Sequence, residues 1–336
     1  MPDETQLIER ISRLIPSFTG TKGRSKAVSL GIGDDAMVIR GGSGIDWVVT
    51  TDAFVENIHF WADRHPADSV GYKALARATS DVAAMGAQPS VFLLTLALPA
   101  RRQGKWLDAF LQGMGRAARS LGLTLAGGDT TQSDSISISI TVFGEIARNR
   151  AVTRARARPG DIVFVSGTLG QAQLGLEVVR RGLVRNRAYQ KLLKPHLYPQ
   201  VRLKLGTFLA KHRLTSAMMD ISDGLSTDLA RLCAASGVGA RLKKKQIPQV
   251  QIPAGIARRL GAKASDPLNM ALHGGDDYEL LFTVPRRLVA KLRRAPDFRN
   301  LTAIGEIHRG NGVSLIGDSG QARPLASLGW DPFRKK

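Results

Sequence analysis

The 336-residue chain holds one cysteine, Cys233, so it can form no disulfide within itself, and a reducing compartment is expected. The surrounding LARLCAASG reads as a helix in which that cysteine is a small core residue. Aromatic residues make up only 6% and nowhere alternate with Lys and Arg as stacking surfaces for nucleic acid do. Long hydrophobic runs are also missing. The longest, Val91 to Leu98, contains Thr95 and meets Pro99, far short of the ~20 apolar residues of a membrane span. No membrane partner is therefore expected. The start, MPDETQLIERISRL, carries acids where a secretory leader has a basic and then an apolar stretch, so a cytoplasmic protein is expected. Acid itself is scarce: 28 Asp+Glu stand against 48 Lys+Arg, a net charge of +20. With the bases scattered, apart from runs at 148–160 and 241–246, this reads as a basic surface that steers anionic substrates. No nucleic-acid partner is expected, because the footprint of such a binder is missing.

What is present is an alternation of strands and helices, the mark of an α/β protein. Strands are expected at AMVIR, DWVVTTDAF and DIVFVSG, with a turn at GGSG, and further strands at SAMMDIS and DYELLFTVP. Residues 66–86 read as a helix capped by Asp68 or Ser69 and ended by Gly86, and 105–122 as a helix closed by Gly122. Two more helices are expected at LGQAQLGLEVVRRG and GLSTDLARLCAASG. SVFLLTLALP reads as a buried strand, and LTLAGGDTT as a strand leading into a loop. SISISITVFGEI alternates so plainly that one of its faces must be polar or covered by a partner. The length suggests about two domains, and the arginine-rich segment near 150 divides them into 1–150 and 151–336.

The scarce acids fall in conspicuous places. Asp34 and Asp35 follow two glycines in GIGDDA. Asp52 sits at the end of an apolar strand behind Thr50 and Thr51, where α/β proteins place ligands. Asp81 lies inside a helix of small and apolar residues, where an unpaired carboxylate costs several kcal/mol. Asp129 follows Gly127 and Gly128, Asp220 trails an apolar strand, and Asp223 with Gly224 opens a helix. Each position has a separate explanation as a turn or cap, but a shared cause is simpler. Oxygen-only ligands select hard cations, Mg²⁺ above all, and a carboxylate meets a phosphate only with a cation between them. No His/Cys set of zinc spacing exists, and neither a P-loop nor a protein-kinase signature is present.

GIGDDA, TTDAFVENIHF, YKALARATSDVAAMGAQP, GGDTT, VTRARARPGD, VSGTLGQA, DISDGLSTDL, GGDDYEL and GWDPF occur in the order found in thiamine-monophosphate kinases, which the chain resembles from about residue 29 to 333. These enzymes are related to aminoimidazole-ribonucleotide synthetase and selenophosphate synthetase. The resemblance implies an α/β (α+β) fold of two domains. The N-terminal sheets of a homodimer would pair into a barrel. It implies several Mg²⁺ ions on Asp35, Thr50, Thr51, Asp52, Asp81, Asp129, Asp220 and Asp223, and ATP contacts from Gly128, Asp129, Arg154 and Ser222. Thiamine monophosphate is expected at His59, Asp276 and Trp330. Relatives often carry glutamate where Asp276 stands, and Asp34 is expected only to shape its loop.

The implied reaction is ATP-dependent phosphorylation of thiamine monophosphate, the last step to thiamine diphosphate. Its main obstacle is repulsion between two polyanions, so positioning and charge neutralisation carry the catalysis. Neither a covalent nucleophile nor a dedicated base is expected, since the acceptor phosphate is already ionised at pH 7. The alternatives are a related ATP-dependent synthetase that releases phosphate, a nucleic-acid binder and an inactive relative.

Overall fold

The computed structural model describes residues 3–23, 25–261, 265–298 and 300–333. An amphipathic helix, α1 (Glu4–Leu14), opens with a capping box between Asp3 and Gln6 and buries no residue. The first sheet contains β1 (Val28–Leu30), β2 (Met37–Arg40), β3 (Ile45–Val55), β4 (Gln88–Leu98), β5 (Thr124–Gln132) and β6 (Ser137–Ala147), in the order β1-β2-β3-β6-β4-β5. β4 and β5 run parallel and the other neighbours antiparallel. Two helices, α2 (Ala67–Ala84) and α3 (Lys105–Leu121), cover one face.

The second sheet contains β7 (Ile162–Val165), β8 (Ala217–Ile221), β9 (Gly239–Lys243), β10 (Glu279–Val284), β11 (Thr302–His308), β12 (Gly312–Ile316) and β13 (Ala322–Pro324). Their order is β13-β12-β9-β11-β7-β10-β8, with β9 and β12 parallel. Its helices are α4 (Gln171–Arg180), α5 (Gln190–Leu197), α6 (Leu203–His212), α7 (Leu225–Ser236), α8 (Ala254–Leu260), α9 (Pro267–His273) and α10 (Val289–Arg293). Cys233 is buried among Leu229, Leu232 and their neighbours in the core of this unit.

Several local expectations are corrected. The GGDTT segment is not a loop: β5 runs straight through it, because the ladder to β4 continues as far as Leu98 with Gln132. Gly128 permits this course, since a side chain there would run into the carbonyl oxygen of Leu94. β4 is not buried on both faces; Phe92, Leu94, Leu96 and Leu98 are buried while Thr95 is exposed. Asp52 lies inside β3 rather than at its end, and Asp220 inside β8 rather than after it. The N-cap of α2 is Pro66, whose carbonyl accepts from the Ser69 hydroxyl at 2.7 Å; Asp68 stands in the first turn.

The alternation in β6 takes the expected form. Ile138, Ile140, Val142 and Ile146 face the helices, while Ser139 and Thr141 lie on the opposite, open face. That face continues across Thr51 of β3 and onto β5, every residue of which is exposed.

The two units meet along α2, which packs on α3 and the first sheet and also touches β8 and α6. Gly206 lets α6 approach so closely that a side chain there would collide with the carbonyl of Ala83. Among the described residues no helix is long and apolar enough to cross a membrane.

Candidate active site

One face of α2 sets the site. Lys73, Arg77, Ser80 and Asp81 follow one another at helical spacing, so they form a polar row on a helix otherwise filled with small and apolar residues. The row meets the second unit: the Ser80 hydroxyl donates to Asp220 of β8 at 2.6 Å. On the other side Thr50 of β3 donates to Asp81 at 2.7 Å. Asp35, on the loop that enters β2, completes the group. Asp35, Asp81 and Asp220 each offer an oxygen within 4.8 Å of the others.

Three carboxylates this close repel one another, and burial adds to the effect. Burial first, and then the charges of Asp220, Asp52 and Asp35, push Asp81 well above the usual carboxylate range. Burial and the Asp35 charge push Asp220 up to about 7. Burial also raises Asp35, although Arg154 opposes it through Nε at 3.2 Å and a closer contact from Nη2. That guanidinium engages Oδ1 only; Oδ2 of Asp35 is buried with no hydrogen-bond partner among the described residues. An orphaned buried oxygen on a residue grouped with two further carboxylates fits a hard divalent cation, which takes oxygen ligands and offsets the repulsion.

The other expected metal residues lie around this group at different depths. Asp52 is within electrostatic reach of Asp81, and both its oxygens accept from Arg77, at 2.5 Å from Nε and 3.1 Å from Nη2. Thr50 points into the cluster, but Thr51 points to the open face, bonded to the Thr141 hydroxyl at 3.1 Å. Asp129 is exposed on that same edge, accepting from the Thr130 N–H at 2.9 Å, with Gly128 beside it. Asp223 is clamped by Arg231, which also reaches Asp228 at 3.2 Å and Glu4 at 3.1 Å. Asp34 shapes the loop as expected, accepting from the backbone N–H of Asp35 at 3.0 Å and of Arg154 at 3.1 Å.

The residues expected to meet thiamine monophosphate gather beyond Arg77. His59 accepts from the Val55 N–H through Nδ1 at 3.0 Å, and burial with the Arg77 charge lowers its pKa to about 4. A neutral ring whose Nδ1 accepts carries its proton on Nε2. Asp276 is held from two sides, by Lys73 at 2.8 Å on Oδ2 and by the Tyr278 hydroxyl at 2.8 Å on Oδ1. Burial opposes its ionisation, but the Lys73 charge and its neighbours outweigh that and hold it below the usual range. Its backbone N–H donates to the Ser222 carbonyl at 2.8 Å, and the Trp330 main-chain N–H donates to the Asp223 carbonyl at 2.8 Å.

Sequence reading missed four contributors: Lys73, Arg77, Ser80 and Tyr278. The first three were legible as a helical row ending in Asp81. Tyr278 left no such signal, since its role depends on left-handed backbone at φ 49° that turns it back toward Asp276. Behind Lys73 runs a buried chain of rings, with Lys73 to His196 Nδ1 at 3.2 Å and His196 to His65 at 3.2 Å between their Nε2 atoms.

Comparison with known proteins places this arrangement. Residues 33–146 match the AIR synthase related protein N-terminal domain, and residues 158–318 match its C-terminal domain. The chain is 37% identical to the thiamine-monophosphate kinase of Salmonella typhimurium over 77% of each chain. It is 33% identical to that of Haemophilus influenzae over 92% of this chain and 93% of the relative. Among solved structures it matches AaThiL complexed with AMPPCP and TMP, with a TM-score of 0.84 at 32% identity, over 98% of this chain and 97% of the other. It also matches a thiamine-monophosphate kinase from Stenotrophomonas maltophilia, with a TM-score of 0.74 at 34% identity, over 95% and 98% of the two chains.

Proposed function

The chain belongs to the AIR synthase related family and, within it, to the thiamine-monophosphate kinases, and from that premise we propose that it transfers the γ-phosphoryl group of ATP to thiamine monophosphate, giving thiamine diphosphate and ADP. The observation that carries this reading is the cluster of Asp35, Asp81 and Asp220 with its orphaned buried oxygen. Such a group cannot face a triphosphate without cations between them. Mg²⁺ ions would be held by Asp35, Asp81 and Asp220 with Thr50 and Asp52 beside them, and further ions by Asp223 and by Asp129 and Thr51 on the open face, and would supply the charge neutralisation that phosphoryl transfer needs.

The chain's own groups do the positioning. Thr50 and Ser80 fix the rotamers of Asp81 and Asp220 by direct donation. Arg154 holds Asp35 and, with Gly128 and Ser222, flanks the nucleotide. On the acceptor side, the Nε2–H of neutral His59 donates to the substrate. Asp276, kept ionised by Lys73, attracts its thiazolium or protonated aminopyrimidine, and Trp330 closes over a ring. The attacking oxygen belongs to a phosphate already ionised at pH 7, so no side chain need remove a proton.

In this reading residues 1–150 carry most of the metal ligands and the dimer contact, and residues 151–336 complete the nucleotide and substrate walls. A second copy covers the open face of β5 and β6, closing a barrel between two sheets and hiding groups such as Leu125, which is 53% exposed in the single chain. Light scattering of the purified protein is expected to give twice the 36.2 kDa chain mass. The function is tested by following ADP and inorganic phosphate together. MgATP with thiamine monophosphate should yield ADP and thiamine diphosphate without free phosphate. Stoichiometric phosphate release would instead identify a synthetase.

A further inference from the structure

Arg77 occupies a position that the expected metal and substrate residues leave unexplained. It stands at the middle of the α2 row, between the cluster of Asp81 and Asp52 on one side and His59, Asp276 and Tyr278 on the other. Its guanidinium spends Nε and Nη2 on the two oxygens of Asp52, and lies over the Phe54 ring at 5.2 Å, so its plane is fixed by a carboxylate and an aromatic face. Nη1 makes no hydrogen bond to any described residue, and the side chain keeps 16% exposure, which leaves this end of the fork a donor to spare. Burial opposes the charge, but Asp52, Tyr278 and Asp276 outweigh it and hold the guanidinium above its ordinary pKa.

We propose that Arg77 binds the acceptor's phosphate: while one edge of the guanidinium holds Asp52, Nη1 donates to the phosphate monoester entering between Asp52 and His59. This inference rests on the kinase reading and names the group that places the attacking oxygen. A fixed cation there shields the acceptor phosphate from the aspartates around it and aligns it beside the nucleotide. The carboxylate of Asp52 keeps lone pairs for a metal ion, because two donors do not exhaust its acceptor capacity.

Calorimetric titration of the full chain in MgCl₂ with thiamine and with thiamine monophosphate separates this role from a structural one. Arg77→Met is expected to weaken thiamine monophosphate about 10- to 100-fold, the range for a lost charge-assisted hydrogen bond, and to leave thiamine unchanged. Arg77→Lys, which keeps a cation beside Asp52, is expected to fold like the parent and to lose roughly tenfold, because it lacks the planar fork. If Arg77→Met melts too early for titration, the lysine variant decides alone. Equal loss for both ligands, or no loss for the phosphorylated one, overturns the proposal. If the parent chain binds thiamine monophosphate and makes ADP while the variants bind as well as it does, only the role of Arg77 falls. If the parent itself neither binds thiamine monophosphate nor makes ADP, the kinase reading falls and this proposal with it.

Discussion

Asp81 and Asp276 both lie against α2, one on the helix and the other against Lys73 eight residues earlier, yet their environments drive them in opposite directions. Asp276 has an ammonium at 2.8 Å and a phenol on its second oxygen, and its pKa falls. Asp81 has one hydroxyl and three neighbouring carboxylates, and its pKa rises well above the normal range. Burial is common to both, so the difference is the partner. Where the chain supplies its own cation the carboxylate stands ionised before any ligand arrives. Where it supplies none, the carboxylate is completed by something that binds. Asp52 and Asp223 are each held by an arginine at the rim of the cluster.

The largest expected effect breaks the unfinished side of this comparison. Asp81→Asn should lower turnover on the order of 10³-fold, as removal of a main electrostatic stabiliser does, with the circular dichroism spectrum unchanged. In metal-free buffer the same substitution should raise the melting temperature, because it removes repulsion within the cluster. A lower melting temperature would mean that the three carboxylates already share a favourable arrangement. Next, Lys73→Met should destabilise the chain by about 3 kcal/mol in a denaturant titration, the lower end for breaking a buried pair, since Asp276 keeps some access to solvent. Lys73→Met and Asp81→Asn would thus shift stability with opposite signs.

A third test adds Mg²⁺. Mg²⁺ at a hundredfold excess over its Kd should stabilise the parent by about 2.7 kcal/mol, and much less in Asp81→Asn. The smallest effect concerns the histidines behind Lys73. Burial lowers the pKa of His65 to about 4 and that of His196 well below its ordinary value. At these two rings the native state binds fewer protons than the unfolded chain below pH ~6.5, so their contribution to stability slopes downward as pH drops from there toward 4, against the opposite contribution of the raised carboxylates. His65→Asn, which keeps an acceptor for the Trp61 N–H, should flatten that slope in melts taken across the same pH window.

Much of this site was legible in the sequence, and the reason is chemical. Acid is rare in this chain, so Asp35, Asp52, Asp81 and Asp220 stand out, and a carboxylate inside a small-residue helix needs a partner wherever the helix goes. The course of β5 was not legible, because Gly127 and Gly128 carry loop propensity and only the ladder to β4 overrides it. The side of the sheet taken by Thr51 depended on register, which places it opposite Thr50 and beside Thr141. The arginines were hidden by their number. Among 48 basic residues, nothing but the fold distinguishes Arg77 and Arg231 from solvated ones, and Arg154 stood out only through the resemblance.

The contact between Gly206 and the Ala83 carbonyl has a mechanical consequence. With two helix backbones in touch at the seam, the halves of the molecule cannot swing apart about α2 as a hinge without breaking their tightest packing. Any opening for nucleotide then falls to the periphery, where the stretch ending at Trp330 rests on α7 and the loop before it through the Trp330 main-chain N–H on the Asp223 carbonyl, the Gly329 N–H on the Thr227 hydroxyl and the Ser327 hydroxyl on the Ser226 carbonyl.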